Sequence, residues 1–195
     1  RSTPKPSSAA SDVYKRQLLN LAMATLKYKD DTDRAYGLTG MSVCLCLMDS
    51  ERFLMHLDLD SEADQGMVFT PDFYQIQNQK LSAKAVWAGN LNHFKLLTGM
   101  MISNLMCRAL VRDGKEITRE LSDLVLRNLQ TEGAALCSLE ADETGRLYTE
   151  SYNFFHRVFC HPQVDTLVEA LVRELQQKRH VEAETILQIL RPLLN

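Results

Sequence analysis

Met41-Ser42-Val43-Cys44-Leu45-Cys46-Leu47-Met48, then Asp49-Ser50-Glu51-Arg52, then Phe53-Leu54-Met55-His56-Leu57-Asp58-Leu59-Asp60, is the stretch on which the fold turns. Its first run is almost wholly apolar and is bounded by Gly40 and by Asp49-Ser50, which suits a strand buried on both faces. The last run alternates, with Met55, Leu57 and Leu59 on one side and His56, Asp58 and Asp60 on the other. That is the period-two pattern of a strand with one wet face. The polar residues between the runs suit a hairpin connection. A third strand over 67–70 ends at Pro71, which cannot donate to a ladder. The expectation is an antiparallel β-hairpin or meander over about 41–74. Upstream, residues 24–40 are polar and acidic, carry Gly37 and Gly40, and read as a leader loop with room for one helical turn near Asp33 to Tyr36.

Past residue 81 the period changes. Val86, Trp87, Leu91, Phe94, Leu97, Met101 and Leu105 recur at spacings of three or four, with Ser82 placed as N-cap and Gly114 as stop. Lys95, Thr98, Ser103, Asn104 and Arg108 interrupt this helix, which argues against a membrane span. Gly89 and Gly99 predict either the close approach of another backbone or a break after Gly89 that divides the helix in two. A second helix is expected over 115–131, closed by Gly133. Residues 134–139 and 146–148 flank Asp142-Glu143-Thr144-Gly145, a turn composition, and predict a second hairpin over about 134–149. A helix over 152–160 precedes Pro162.

The C-terminal pattern is the clearest of all. Leu167, Leu171 and Leu175, then Ile186 and Leu190, form an apolar stripe that must be covered by the core or by a second copy. No Gly or Pro separates 163–178 from 181–194, so one long helix or a helical hairpin is expected. Together these readings give an α+β fold: a small antiparallel sheet packed against a bundle of four or five helices.

Composition bounds the rest. A chain of 195 residues fits one domain. Asp12-Val13-Tyr14-Lys15-Arg16-Gln17 is what the codons GAT GTG TAT AAG AGA CAG encode, a run resembling the transposon mosaic end used in sequencing libraries. Residues 1–22 are therefore set apart as a non-native leader, and the domain is taken as 23–195, with Met23 or Met41 as the natural start. Without that leader the formal net charge moves from −3 to −6, which argues against nucleic-acid binding through a basic face. The odd set Cys44, Cys46, Cys107, Cys137 and Cys160 sits mostly in apolar runs and points to free thiols in a reducing, cytoplasmic setting.

Two clusters carry chemistry. Asp58, Asp60, Glu62 and Asp64 alternate as calcium-loop ligands do, but Ala63 stands where such a loop needs Gly and Phe69 where it needs Glu. A solvated hairpin end is the plainer account. His156 and Cys160 share a helical face at i, i+4, with His161 next to them; a core thiol beside surface or capping histidines is the plainer account here too. The tyrosines and phenylalanines over 148–159 read as core. No Walker loop, Gly-x-Ser-x-Gly, Gly-x-Gly-x-x-Gly or His-Glu-x-x-His is present. The sequence thus favours a protein-interaction or structural module, without cofactor, working through a protein partner or self-association. The alternatives are a small-molecule or divalent-metal-binding domain using 58–64, or an enzyme using His156, Cys160 and His161.

Overall fold

A computed structural model describes residues 27–62, 66–74 and 82–194. Residues 1–22, the proposed start Met23 and Asp64 lie outside these described residues. The α+β expectation holds: a small three-stranded antiparallel sheet packs by one face on the helices.

The apolar run 41–48 is not a strand. It is the C-terminal half of helix α1, Asp31–Leu47, which also takes in most of the expected leader loop. Asp30 caps the helix, its carboxylate accepting from Asp33 N–H at 2.7 Å. Every residue from Asp33 to Cys46 is buried. A helix surrounded on all sides has no wet face to impose a 3.6 period, so its sequence resembles that of a buried strand.

After α1 a 3-10 turn, Glu51–Phe53, leads into β1, Leu54–Asp58, which pairs antiparallel with β2, Met67–Phe69. A bulge between Leu54 and His56 shifts the alternation. Leu54, Leu57 and Leu59 point inward, and Met55 is left 43% exposed, contrary to the simple period-two reading. Pro71 ends the strand as expected and opens a one-turn helix α2, Pro71–Tyr74.

Helix α3, Ala83–Met106, starts at the Ser82 cap and continues through a π-helical turn, Cys107–Arg112, to Gly114 at φ +60°. It passes Gly89 without a break. Among the described residues Ala83–Arg112 is the one helical stretch long and apolar enough to cross a membrane, and its apolar 18-residue window is 72% buried inside the fold, as in a core helix. It crosses α1 where Gly40 and Gly99 remove side-chain bulk. A Cβ on Gly40 would strike the Ser103 carbonyl and lie 2.7 Å from Cys107 Cβ; one on Gly99 would lie 3.0 Å from Cys44 Sγ. Ser103 Oγ donates to Gly40 O at 2.6 Å across the same contact.

The second hairpin is absent among the described residues. Helix α4, Arg119–Cys137, runs through Gly133 and ends at Ser138 in the left-handed region; helix α5, Ala141–Phe159, begins almost at once. Asp142-Glu143-Thr144-Gly145 is the first turn of α5, fixed by a reciprocal capping box between Glu140 and Glu143. Acidic residues that suit a turn also suit a helix N-terminus.

Helix α6, Pro162–Lys178, is followed by β3, His180–Glu182, helix α7, Ala183–Leu190, and a terminal 3-10 turn, Arg191–Leu194. The C-terminal segment is therefore neither one helix nor a plain helical hairpin, because Arg179 at φ 64° turns the chain into a strand. β3 pairs with β1 to give the order β2-β1-β3. Leu171, Leu175, Ile186 and Leu190 are fully buried within the single chain and Leu167 partly so, which settles the stripe as core.

Candidate functional site

The outer face of the sheet brings together donors far apart in sequence. In the β1–β3 register His56 lies opposite Glu182, Leu57 opposite Val181 and Asp58 opposite His180. Leu57 and Val181 face the core, so period two sends His56, Asp58, His180 and Glu182 to the other side. The His56 and His180 rings lie diagonally, 4.4 Å between centroids and tilted by 37°. His180 Nε2 is 3.0 Å from Glu182 Oε1. One ligand atom from each of His56, His180 and Glu182 falls within 4.8 Å of the other two. A tetrahedral ion about 2.0–2.2 Å from each donor needs separations of about 3.4 Å, so side-chain rotations closing up to about 1.4 Å would complete the set. His180 and Glu182 are exposed and free to make them.

The acidic segment beside this face is organised by arginines. From α1, Arg34 (7% exposed) sends Nη1 to the carbonyls of Leu59 and Ser61 at 2.9 and 2.8 Å. Its Nη2 reaches Ser61 Oγ and Glu62 O at 2.8 and 2.7 Å. The loop carbonyls that a calcium loop would turn on its ion thus accept from a guanidinium. Asp60 Oδ1 accepts from Arg179 Nε and Nη2 at 2.9 and 2.7 Å, and Asp58 Oδ1 from Asp60 N–H at 2.8 Å. Asp58 and Asp60 are therefore engaged locally; Glu62 contributes its backbone carbonyl, and Asp64 lies outside the described residues.

At the α5–α6 junction the expected histidine–cysteine cluster divides. His161 caps α6, its Nδ1 accepting from Gln163 N–H at 3.3 Å, and takes no part with Cys160. His156 and Cys160 do meet: Sγ lies 3.7 Å from Nδ1 and 4.0 Å from Nε2. Glu116 Oε1, from the segment before α4, stands 3.1 Å from His156 Nε2. Of the aromatic group, Tyr148, Phe155 and Phe159 are core, as read, while Phe154 stays 39% exposed.

Sequence reasoning missed His180, Glu182 and Glu116. His180-Val181-Glu182 does alternate, but three residues inside an apparent helical pattern are too few to announce a strand. Glu116 joins His156 across forty residues through tertiary packing alone. The chain matches no family model, and no curated protein or solved structure proved similar to it.

Proposed function

We propose that this domain binds a divalent transition-metal ion on the sheet face through His56, His180 and Glu182. The observation that carries the reading is the convergence of two imidazoles and a carboxylate from two paired strands within 4.8 Å. Two nitrogens and one oxygen suit zinc, nickel, copper(II) or iron(II); calcium and magnesium prefer all-oxygen shells. Three protein donors on an exposed face leave a coordination position open to water or a small ligand, the arrangement of reactive rather than purely structural sites. Free thiols at all five cysteines support a reducing, cytoplasmic setting for the domain. The C-terminal stripe, being consumed inside the chain, lends nothing to self-association.

Calorimetric titration of the full chain with Zn²⁺ tests the proposal. One ion per chain is expected, with affinity reduced more than about tenfold in His180→Ala, since even loss of an outer-shell partner costs 10–100-fold. Equal isotherms for the wild type and a His56→Ala/His180→Ala double variant would overturn it. Loss of binding in Asp58→Asn/Glu62→Gln, with the histidines and the Arg179–Asp60 contact intact, would overturn it too, and move the site to the acidic segment.

A further inference from the structure

The five thiols are not equivalent. Cys44, Cys46, Cys107 and Cys137 are buried in the core, and burial pushes each thiol up, Cys46 to about 12. None of these four presents a thiolate to solvent near neutral pH. Cys160 alone of the five is exposed, and the His156 imidazole lies beside it. Its backbone ends α5, N–H bonded to His156 O at 3.0 Å, which fixes the two residues one turn apart. The His156 ring is held from two further sides. Tyr152 stacks on it at 6.1 Å and 19°, and Glu116 takes the Nε2 side at 3.1 Å. With Glu116 accepting the Nε2 proton, Nδ1, the nitrogen nearer the sulfur, is left as the acceptor for the thiol.

We propose that Cys160 is a nucleophilic thiol site, with His156 as its proton acceptor and Glu116 as the residue positioning that imidazole, which exchanges with low-molecular-weight disulfides. The thiol proton passes to His156, and the Cys160 thiolate attacks one sulfur of the small disulfide. The disulfide's S–S bond breaks as the new bond to Cys160 forms. The departing thiolate takes the proton from the imidazolium and leaves as a free thiol. The small disulfide is the oxidant, reduced by the same electron pair that makes the mixed disulfide. Because the other four cysteines are buried, no second thiol can resolve the adduct. Cys160 is therefore a reversible modification site, cleared by an external thiol, and not half of a dithiol oxidoreductase.

Reaction of the native full chain at pH 7 with 5,5′-dithiobis(2-nitrobenzoate), followed by release of the coloured thiolate, reads the step directly. Intact mass after exposure to oxidised glutathione reads the adduct. One fast equivalent is expected, absent in Cys160→Ser, with the remaining thiols reacting only after denaturation. An imidazole within reach of the sulfur accepts the thiol proton as the attack proceeds. His156→Gln is accordingly expected to slow the fast equivalent at least about twofold with its melting curve unchanged, and Glu116→Gln to slow it less. A fast equivalent that survives in Cys160→Ser would overturn the assignment of the site. A rate in His156→Gln within about twofold of the wild type would overturn the role of the imidazole, and should His156→Gln fail to fold, a Glu116→Gln rate equal to that of the wild type would overturn it instead.

Discussion

Asp33 is the buried charge on which the N-terminal half of the fold depends, and replacing it with Ala gives the sharpest test of that packing. The carboxylate side chain is 2% exposed and accepts from Arg108 Nε and Nη2 at 2.7 and 2.6 Å, from Arg112 Nη1, and from Lys29 N–H at 2.9 Å. The side chains of Arg108 and Arg112 are only 13% and 18% exposed, so water cannot replace what Asp33 supplies. Removing one partner of a buried pair costs about 3–5 kcal/mol because the remaining charge stays buried and unpaired. For a chain of this size that corresponds to a fall in melting temperature of about 6–20 °C. The pH dependence has a defined sign. Burial raises the Asp33 carboxyl, but the Arg108 hydrogen bond, the Lys29 N–H and the charges of both arginines outweigh it and leave the carboxyl below its ordinary value. A depressed carboxyl stabilises the folded chain above its unfolded pKa, near 3.9, and that stability is lost as pH falls through the folded value. Urea unfolding at pH 7 and again near pH 3 should therefore show the wild-type advantage over Asp33→Ala shrinking in acid. Adding Arg112→Met to Asp33→Ala should recover part of the loss. A cost below about 1 kcal/mol at pH 7, or an advantage that widens in acid, would refute the reasoning.

Two further substitutions probe the core, and a third an exposed helix position. Leu171→Ala should destabilise by about 2–5 kcal/mol in a melting experiment while leaving sedimentation unchanged, because the side chain is fully buried within one chain. At the helix crossing, Gly40→Ala drives a methyl into the Ser103 carbonyl and should cost about 1–3 kcal/mol. Gly89→Ala, with nothing within 4 Å of the added atom, should instead stabilise α3 by up to about 1 kcal/mol.

What the sequence makes legible follows from how much of each element is wet. α4, α6 and α7 each keep a solvent face, and their leucines, valines and isoleucines recur with the helical period. α1 keeps none over its buried length, and its Cys44-Leu45-Cys46-Leu47 reads equally as strand or helix. The Asp30 cap was the local signal available, since it starts the helix ten residues before the apolar run begins. Asp142-Glu143-Thr144-Gly145 failed for a different reason: turn and helix start share a composition, and only the reciprocal bonds of Glu140 and Glu143 separate them. For the sites the division is between local and long-range geometry. The i, i+4 spacing of His156 and Cys160 is visible in the chain, whereas the register that sets His56 beside His180 and Glu182 exists only after β3 has formed.

That register is set by an arginine where a glycine is the usual choice. Arg179 adopts φ 64°, a left-handed conformation that costs an L-residue roughly 1–2 kcal/mol. A glycine would turn the chain there at no such cost, but it would bring nothing to the neighbouring elements. Arg179 spans two of them, with Nη1 on Asp31 at 2.8 Å at the start of α1 and Nε and Nη2 on Asp60 beyond β1. Its carbonyl accepts from Leu59 N–H at 2.8 Å, continuing the β1–β3 ladder by one bond. Exposed ion pairs are individually weak, about 0–1 kcal/mol. Their effect here is geometric: they tie the strained turn to the end of β1 and so leave His180 only one place to land, opposite Asp58. Asp60 and Asp31 thus act on the proposed metal site from one step away, by holding the arginine that sets the strand carrying two of its three ligands.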